Sequence, residues 1–563
     1  MTSAEYKVLI TTSGMGSRLG ELTNHTNKAL VSVGGKPVLS HIIETYPTGT
    51  PFVITLGYKG SLVKQFINLV YPDLNVEFIE VDKFEGPGSS LLYSMYQARE
   101  QLQCPFIFHA SDTIVYKRDI ETLTFSPHMP PSPVEYNWDG VHILERKEQS
   151  ASYRTVRSVH GSELGCILEK GENRFASPYV HIGLCGISDW ADFWRNAEDL
   201  LLFANPPEDT SLSDAHVINL MREQGKKFIL PVFPGWHDVG NIDALEATNK
   251  ALTLPSEDTV ILPKSDQATY LMGRKIVKFF KDAPTVERRV KRAEALGDAV
   301  PAILGHTDNF YMYEKAIGPL FIEAYPGDLP AFLLWCQENL WVSNELHPEM
   351  KDLCTAFYYK KTWERLTQFY KGTGITDGEE LLNGESVPSL MTLMKQVPWH
   401  SICNGRPTRK MHGDLHFSNV IKTEAGYKLI DWREDFGGCT EIGDVYYDLA
   451  KLNHGMIVSH DLVNGEMFTI KRTEAMLVIS PQSLGLRHRG EGVEVDIHRH
   501  QRLVDCQNVF YDFLTKFGYD RQKVDILTAL IYLNICPLHH YPYNIFLYYF
   551  GKKMLFDVLK EVQ

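Results

Sequence analysis

The sequence predicts an α/β protein of two domains: a doubly wound, mostly parallel sheet, then a small β lobe that precedes a mainly helical lobe. From Tyr6 to Ile120, short apolar runs such as KVLITT and PFVITLG alternate with helix-like stretches, which is typical of βαβ units. The polar segment TLPSEDT ends this pattern, and from Pro330 onward aromatic-rich helical stretches such as AFLLWCQENLWV dominate. We therefore expect a first domain over residues 1–255 and a second over 256–563, with lobes at about 258–325 and 326–563.

The composition excludes several classes of protein. The chain has 563 residues, 44% of them hydrophobic and 22% charged, as in folded proteins. The net charge of −14 argues against nucleic acid or an anionic membrane as the main partner. Nine scattered cysteines without a C-x-x-C pair indicate neither a zinc site nor a disulfide framework, so we expect a reducing cytoplasm. Prolines and polar residues interrupt the apolar stretch at 527–550, which predicts a buried core segment and no membrane span.

A phosphate-handling loop follows the first strand. KVLITT leads into S-G-M-G-S-R-L, and Lys28 lies ten residues after Arg18. Glycines at a strand end, Gly14 and Gly16, let backbone N–H groups approach phosphate oxygens, and Arg18 and Lys28 supply the positive charge that a triphosphate needs. Neither the Walker spacing nor G-x-G-x-x-G is present, so the glycines alone are equally consistent with a plain tight turn.

The longer string G-M-G-S-R-L-(x)8-K-A-L-V-S-V-G-G-K-P resembles the sugar-phosphate nucleotidyltransferase (nucleoside-diphosphate-sugar pyrophosphorylase) family. The resemblance continues over about the first 250 residues through four further elements in family order. These are Gly86-Pro87-Gly88-Ser89-Ser90, Ser111-Asp112-Thr113, Glu169-Lys170 and Trp236-His237-Asp238-Val239-Gly240.

The resemblance implies a role for each element. It implies nucleotide binding by Gly14, Gly16, Arg18, Gly86, Gly88 and Ser89, sugar-phosphate binding by Glu169 and Lys170, and Mg²⁺ ligation by Asp112 and Asp238. Attack of a phosphate ester on an NTP brings two anions together, so the metal and the cations Arg18 and Lys28 would stabilise the charge. Pro87 removes a backbone donor from the base loop, which leaves CTP and UTP or dTTP open. Asn27 replaces the proline of the family's Pro-Lys dipeptide, so the rigidity of that loop is also open.

A second motif lies in the C-terminal half. Met411-His412-Gly413-Asp414 continues to Asn419, and Ile430-Asp431-Trp432 follows, with Asp431 17 residues after Asp414. This H-G-D-x-x-x-x-N and I-D-W pattern resembles the aminoglycoside phosphotransferase and choline kinase family, relatives of the protein kinases, over about residues 258–563. The resemblance implies that Asp414 is the catalytic base for a substrate hydroxyl, and that Asn419 and Asp431 hold the Mg²⁺ that bridges the ATP phosphates.

Other residues agree with that order. Lys278 in KIVKFFK resembles the strand lysine that pairs with ATP phosphates, and Glu294, or else Glu287, is its expected ion partner. In G-D-x-x-x-D-L-A, the first aspartate, Asp444, is expected to anchor the catalytic loop without reacting. H-G-D in place of H-R-D, and the lack of A-P-E, favour a small acceptor. Asp435, in a chance D-F-G, is the reserve metal ligand.

Together the halves predict a bifunctional enzyme. It would phosphorylate a small alcohol, a sugar or polyol, with ATP and join the product to a nucleotide from an NTP, releasing pyrophosphate and giving a precursor for surface polysaccharide. The alternative is a choline or ethanolamine kinase fused to a CTP:phosphocholine-type cytidylyltransferase, because the aromatic residues of the second half can form a cation cage. A catalytically silent regulatory half is disfavoured because every inferred acid and metal ligand is present in both halves. A dinucleotide-dependent oxidoreductase is disfavoured because the G-x-G-x-x-G spacing is missing at the first strand. The resemblance also leaves open whether the chain forms a homo-oligomer.

Overall fold

A computed structural model describes residues 6–118, 125–127, 139–145, 153–159, 161–172, 179–203, 210–252, 266–342, 347–473, 477–478, 487–488 and 492–561. The chain divides into two compact units. Residues 1–283 and 304–313 form the first, and residues 284–303 and 314–563 form the second.

The first unit has an α/β arrangement, in which the structure describes eighteen strands and six helices. Two of these strands have one terminal residue each, Ile303 and Glu314, that belongs to the second unit. The strands are β1 (Lys7–Thr11), β2 (Ser32–Val33), β3 (Lys36–Pro37), β4 (Phe52–Leu56), β5 (Val76–Glu80), β6 (Phe106–Ala110), β7 (Thr113–Arg118), β8 (Phe125–Pro127), β9 (Asp139–Glu145), β10 (Thr155–Val159), β11 (Glu163–Ile167), β12 (Tyr179–Ile187), β13 (Phe228–Ile229), β14 (Trp236–Asp238), β15 (Gln267–Met272), β16 (Lys275–Phe280), β17 (Ile303–His306) and β18 (Phe310–Glu314). The helices are α1 (Val38–Ile43), α2 (Gly60–Val70), α3 (Leu91–Tyr96), α4 (Trp190–Leu202), α5 (Asp214–Glu223) and α6 (Ile242–Leu252).

The main sheet has nine strands in the order β10-β11-β13-β9-β12-β6-β1-β4-β5. Strands β5, β4, β1 and β6 are parallel neighbours, as the alternating pattern predicts. Strand β12 runs antiparallel to both β6 and β9, so the sheet is mixed. The expected parallel arrangement holds for those four strands and for the pair β13 and β9. Parallel neighbours need crossover helices, which α1, α2 and α3 supply; the described parts of residues 111–178 contain no helix.

Both faces of the central strands are buried. In β1, Val8 and Ile10 belong to one hydrophobic core and Leu9 belongs to the other, because successive side chains of a strand point to opposite faces. Strands β1 and β6 are parallel, so the loops that follow Thr11 and Ala110 leave the sheet at the same edge. In open α/β sheets this carboxyl edge is where ligands bind.

Strands β15 to β18 form a separate four-stranded sheet in the order β15-β16-β18-β17. Tyr270 donates from its hydroxyl to Leu30 O at 2.7 Å, and Asn309 N donates to Gln65 Oε1 at 3.0 Å. Because of such contacts, the four strands belong to the first unit. The predicted domain boundary at residue 255 would assign them to the second domain, and it stays a prediction.

The second unit is mainly helical. Its helices are α7 (Ala283–Leu296), α8 (Leu329–Asn339), α9 (Met350–Cys354), α10 (Lys361–Thr373), α11 (Leu390–Gln396), α12 (Trp399–Ile402), α13 (Val445–Ile457), α14 (His460–Asn464), α15 (Gln501–Lys516), α16 (Arg521–Ile535) and α17 (Tyr543–Lys560), with a π-helical segment at Thr355–Lys360. Its strands are β19 (Glu380–Leu382), β20 (Glu385–Val387), β21 (Pro407–Thr408), β22 (Val420–Thr423), β23 (Gly426–Leu429), β24 (Gly443–Asp444), β25 (Phe468–Thr473), β26 (Leu477–Val478), β27 (Arg487–His488) and β28 (Gly492–Ile497).

The apolar stretch at 527–550 forms parts of two helices of this unit. It falls in α16 and α17, which a 3₁₀ turn at Cys536–Leu538 separates, and Tyr532 and Phe546 are fully buried. Across the described parts of the chain, no helix has both the length and the apolar character needed to cross a membrane. The segment is core, as the sequence predicts.

Candidate active sites

A cavity of about 690 Å³ lies at the carboxyl edge of β1 and β6 in the first unit. The residues predicted from the sequence that line it are Gly14, Gly16, Arg18, Lys28, Ser89, Asp112, Glu169, Lys170 and Asp238. Gly86 lines a second cavity of about 470 Å³, and Gly88 lines neither cavity. The two cavities share the lining residues Gly16, Ser17, Phe84, Ser89 and Thr210. The fold therefore brings all five predicted elements to one place.

The loop after β1 is fixed by a glycine and a buried asparagine. Gly16 has φ of 67°, and a Cβ there would lie only 2.9 Å from Lys28 Cβ, so the loop packs directly on the lysine. Asn27 is fully buried; its Nδ2 donates to Thr12 O at 2.8 Å and Tyr58 O at 2.6 Å, and its Oδ1 accepts from Ala29 N at 2.9 Å. Asparagine thus holds the segment before Lys28 where the family has proline.

Three cations surround the carboxylate of Asp112. Lys28 Nζ forms a short ion pair with Asp112 Oδ2, and Arg18 Nη2 lies 3.9 Å from the same oxygen. Burial alone would raise the pKa of Asp112, but Lys28, Arg18 and Lys170 together lower it below its usual value. Burial, with a contribution from Arg18, lowers the pKa of Lys170. Arg18, Lys28 and Lys170 thus supply positive charge at this point of the cavity, which suits an anionic ligand.

Asp112 and Asp238 lie close together although 126 residues separate them. Antiparallel pairing of β14 with β7 sets Asp238 opposite Thr113, the residue after Asp112. A Cβ on Gly240 would lie 2.9 Å from Asp238 Oδ1 and 3.0 Å from Asp112 Oδ2, so these two oxygens are no more than 5.9 Å apart. Mg²⁺ is commonly held by one or two carboxylates together with substrate phosphates, and this pair fits that pattern. Within the described ranges, no group of three or more His, Cys, Asp or Glu side chains is placed to hold a metal.

Sequence reasoning missed several residues at the cavity. Arg154 Nη1 lies 2.6 Å from Glu169 Oε1, and His216 Nε2 lies 3.1 Å from the same oxygen, so protein groups hold the Glu169 carboxylate. His181 Nε2 contacts Asp214 Oδ2 at 2.8 Å, and both side chains are buried. Burial alone would raise the pKa of Asp214, but His181 lowers it. Apart from the helix-capping serine before Asp214, no local pattern signals this pairing, because it joins β12 to the start of α5.

A second candidate site surrounds Asp414 in the second unit. Lys451 Nζ on α13 lies 2.7 Å from Asp414 Oδ1, and His416 Nε2 lies 3.8 Å from Oδ2. Burial alone would raise the pKa of Asp414, but Lys451 and His416 outweigh it, so this pKa lies well below its usual value. Asp414 is therefore ionised at neutral pH and can accept a hydrogen bond from a hydroxyl. No motif in the sequence singles out Lys451.

The predicted metal ligands of this site flank one β hairpin and lie at the same end of it. Asn419 precedes β22 and Asp431 follows β23, and Ile430 N donates to Asn419 O at 2.9 Å. Asn419 Nδ2 contacts Asp414 O at 2.9 Å and His416 Nε2 at 3.1 Å, which leaves Oδ1 as the amide atom suited to a cation. Asp431 has φ of 58°, a left-handed conformation that aspartate tolerates better than most residues.

The aspartate that anchors the catalytic loop differs from the predicted one. Asp448, not Asp444, accepts hydrogen bonds from His412 N at 2.9 Å and Gly413 N at 2.7 Å. Asp444 instead accepts from Arg406 N at 2.8 Å and caps α13. The assignment of the loop anchor to Asp444 was wrong, because a one-turn shift along α13 decides which carboxylate reaches the loop. Burial raises the pKa of Asp448 to about 7.

Three further predicted residues are placed without a demonstrated role. Lys278 is half-buried on β16 of the first unit, and Glu294 is exposed on α7 of the second. Their ion pair stays a prediction. Asp435 Oδ2 lies 4.0 Å from Arg288 Nε, and its use as a reserve metal ligand is likewise untested.

Known proteins resemble the N-terminal half. No family model matches the chain. The bifunctional protein GlmU of Methanococcus vannielii is 22% identical over 243 residues, which are 43% of this chain and 54% of that protein. A probable glucose-1-phosphate cytidylyltransferase of Bacillus subtilis is 40% identical over 62 residues, 11% of this chain and 24% of that protein. The solved structure of CTP:phosphocholine cytidylyltransferase from Streptococcus pneumoniae is 17% identical, covers 44% of this chain and 100% of that chain, and has a TM-score of 0.35.

The chain spans about half or less of the length of the curated relatives it matches. The resemblance of its N-terminal half to nucleotidyltransferases is confirmed by these sequence similarities. The resemblance of the C-terminal half to small-molecule phosphotransferases stays a prediction.

Proposed function

We propose that the chain is a bifunctional enzyme whose first unit transfers a nucleotidyl group to a phosphate ester and whose second unit makes that ester from an alcohol and ATP. The observation that carries the proposal is the convergence of five distant sequence elements on the 690 Å³ cavity, where two carboxylates meet three cations. Nucleotidyltransferase similarity of the same half supports it.

In the first unit, a phosphate oxygen of the ester attacks the α-phosphorus of the NTP. A new P–O bond forms, the bond from the α-phosphorus to the bridging oxygen breaks, and pyrophosphate leaves with the electron pair. Arg18 and Lys28 stabilise the charge of the leaving group, and Lys170 binds the ester phosphate. Asp112 and Asp238 would hold Mg²⁺, which supplies further charge neutralisation when bound.

In the second unit, the hydroxyl oxygen of the acceptor attacks the γ-phosphorus of ATP. The bond from that phosphorus to the β,γ-bridging oxygen breaks, ADP leaves, and the hydroxyl proton passes to Asp414. The low pKa of Asp414 keeps it ionised and able to orient the hydroxyl in the ground state. Asn419 Oδ1 and Asp431 would hold Mg²⁺, which neutralises the ATP phosphates when bound.

The product of the second reaction is the substrate of the first, so the two steps give a nucleotide-activated alcohol of the kind used to build surface polysaccharides. A sugar or polyol is favoured because one relative is a glucose-1-phosphate cytidylyltransferase. That relative also favours CTP as the nucleotide.

A product screen by mass spectrometry tests the proposal. Full-length protein is incubated with Mg²⁺, ATP, each NTP in turn, and a panel of sugars, polyols, sugar acids, choline and ethanolamine, each supplied either as the free alcohol or as its phosphate ester. We expect a nucleotide conjugate that requires both ATP and the unphosphorylated alcohol. A conjugate formed only from a supplied phosphate ester would refute the kinase step, and no conjugate from either source would refute the whole proposal.

A further inference from the structure

A small cationic cavity lies in the second unit. It has a volume of about 70 Å³, and Lys361, Arg365 and Arg433 line it, whereas none of its lining residues is Asp or Glu. One water molecule needs roughly 10–15 Å³ of such volume, so the cavity holds several waters or one group of phosphate or carboxylate size. Three cations around so small a space repel one another unless an anion lies between them.

Two buried polar atoms of the residues that line this cavity lack protein partners. Arg433 Nε is buried and has no hydrogen-bond partner among the described residues, and the same holds for Asn534 Oδ1. Lys361 and Arg433 instead lie over the ring of Phe357, 4.2 Å and 5.1 Å from its centre. Buried polar groups are normally satisfied, so these atoms indicate a site built for a ligand.

The carboxylates that follow Arg433 in sequence, Glu434 and Asp435, do not line the cavity. Glu434 pairs with Arg289 at 3.2 Å, and Asp435 lies 4.0 Å from Arg288. Burial, together with Arg433 and Arg365, lowers the pKa of Lys361 to about 7, and the opposing effect of Asp435 and Glu434 is smaller. Burial alone would lower the pKa of Arg433, but Tyr447 and the carboxylates Glu434, Asp414 and Asp435 raise it. Nearby carboxylates therefore offset part of the positive charge, but none of them lines the cavity itself.

The cavity adjoins the Asp414 loop. A Cβ on Gly413 would lie 2.6 Å from Arg433 Cβ, so Arg433 packs on the residue next to Asp414. Tyr447, which lines the cavity, lies four residues before Lys451 on α13 and hence on the same face of that helix. A ligand with its anionic group in the cavity is thus placed beside the carboxylate that would receive the hydroxyl proton.

We propose that this cavity binds an acid group of the acceptor alcohol, so that the kinase substrate is a hydroxy acid or an alcohol that already carries a phosphate. The inference rests on the proposed kinase function of the second unit and names its substrate class. Asn534 Oδ1 accepts a further hydroxyl of the same ligand. The cationic cavity disfavours choline and ethanolamine, whose charge is of the same sign.

Amine labelling tests the cavity without any need for activity. Full-length protein is acetylated at neutral pH with and without inorganic phosphate, and labelled lysines are quantified by peptide mass spectrometry. We expect phosphate to slow the labelling of Lys361 and to leave Lys371, an exposed lysine on the same helix, unchanged. Equal labelling rates at Lys361 with and without phosphate would overturn the anion site.

Acceptor kinetics test the substrate class. ADP release is compared for glycerol and glyceric acid, glucitol and gluconic acid, and choline, in wild type, Lys361→Met and the control Lys371→Met. We expect the acids to have the higher kcat/KM, and Lys361→Met to raise their KM about 10- to 100-fold, as loss of a charged hydrogen bond does. Preference for the neutral alcohols, unchanged in Lys361→Met, would overturn the acid acceptor while leaving the kinase. Protection of Lys361 without ADP release from any acceptor would refute the kinase while leaving the anion site.

Discussion

Substitution of Gly240 by alanine places a methyl group between the two carboxylates of the first site. Its Cβ would lie 2.9 Å from Asp238 Oδ1, 3.0 Å from Asp112 Oδ2 and 3.3 Å from Arg18 Nη2. Carbon–oxygen contacts this short force the neighbours to move by a few tenths of an ångström, at a typical cost of about 1–3 kcal/mol for an overpacked site. The groups that move are those proposed to act on the triphosphate.

We expect Gly240→Ala to lower pyrophosphate release about 10- to 100-fold, because small displacements of positioned groups cost rates of this order. This corresponds to about 1.4–2.7 kcal/mol of transition-state stabilisation. The assay couples pyrophosphate release to a phosphate reporter, with a phosphate ester and CTP supplied. Gly327→Ala is the control, since no atom lies within 4 Å of a Cβ there. Wild-type pyrophosphate release by a folded Gly240→Ala protein would refute the assignment of this carboxylate pair to the reaction.

Three further outcomes follow from the hydrogen bonds and ion pairs. Asn27→Ala removes the side-chain partner of three backbone groups, two of them buried, so urea titration should show a loss of about 2–4 kcal/mol of unfolding free energy. The exposed control Asn24→Ala should show little change. Burial raises the pKa of Asp448 to about 7, so its contribution to stability is present at acid pH and declines as pH rises. In urea titrations, the excess unfolding free energy of the wild type over Asp448→Asn should therefore shrink between about pH 4 and pH 7. A constant difference would contradict this. Lys451→Met removes the cation that lowers the pKa of Asp414, so the acid limb of the pH profile of ADP release should move to higher pH; an unmoved limb would show that Asp414 is not the titrating group.

The sequence predicted the parts of the fold that local pattern determines. The alternation of apolar runs and helical stretches was sufficient for the four parallel strands around β1, because each crossover helix leaves a local period. The antiparallel pairing of β12 with β6 was missed, since it depends on which strand fills the next position in the sheet. Arg18, Lys28 and Asp112, which contiguous motifs singled out, line one cavity, and their roles stay predictions.

The residues that sequence reasoning missed make contacts between distant elements. Lys451 reaches Asp414 from a helix 37 residues later, and His181 reaches Asp214 from the central sheet. Neither carries a local motif, because only the packing of α13 and of α5 brings the partners together. The choice of Asp444 over Asp448 failed for the same reason: the motif shows that a carboxylate anchors the loop, but helix orientation selects which one.

The central claim is that one chain carries two independent catalytic sites, and a reciprocal pair of variants tests it most directly. ADP release with an acceptor alcohol and pyrophosphate release with a supplied phosphate ester are measured for wild type, Asp414→Ala and Asp112→Ala. We predict that Asp414→Ala abolishes ADP release and keeps pyrophosphate release, and that Asp112→Ala does the reverse. Loss of both activities in either folded variant would contradict the two-site account.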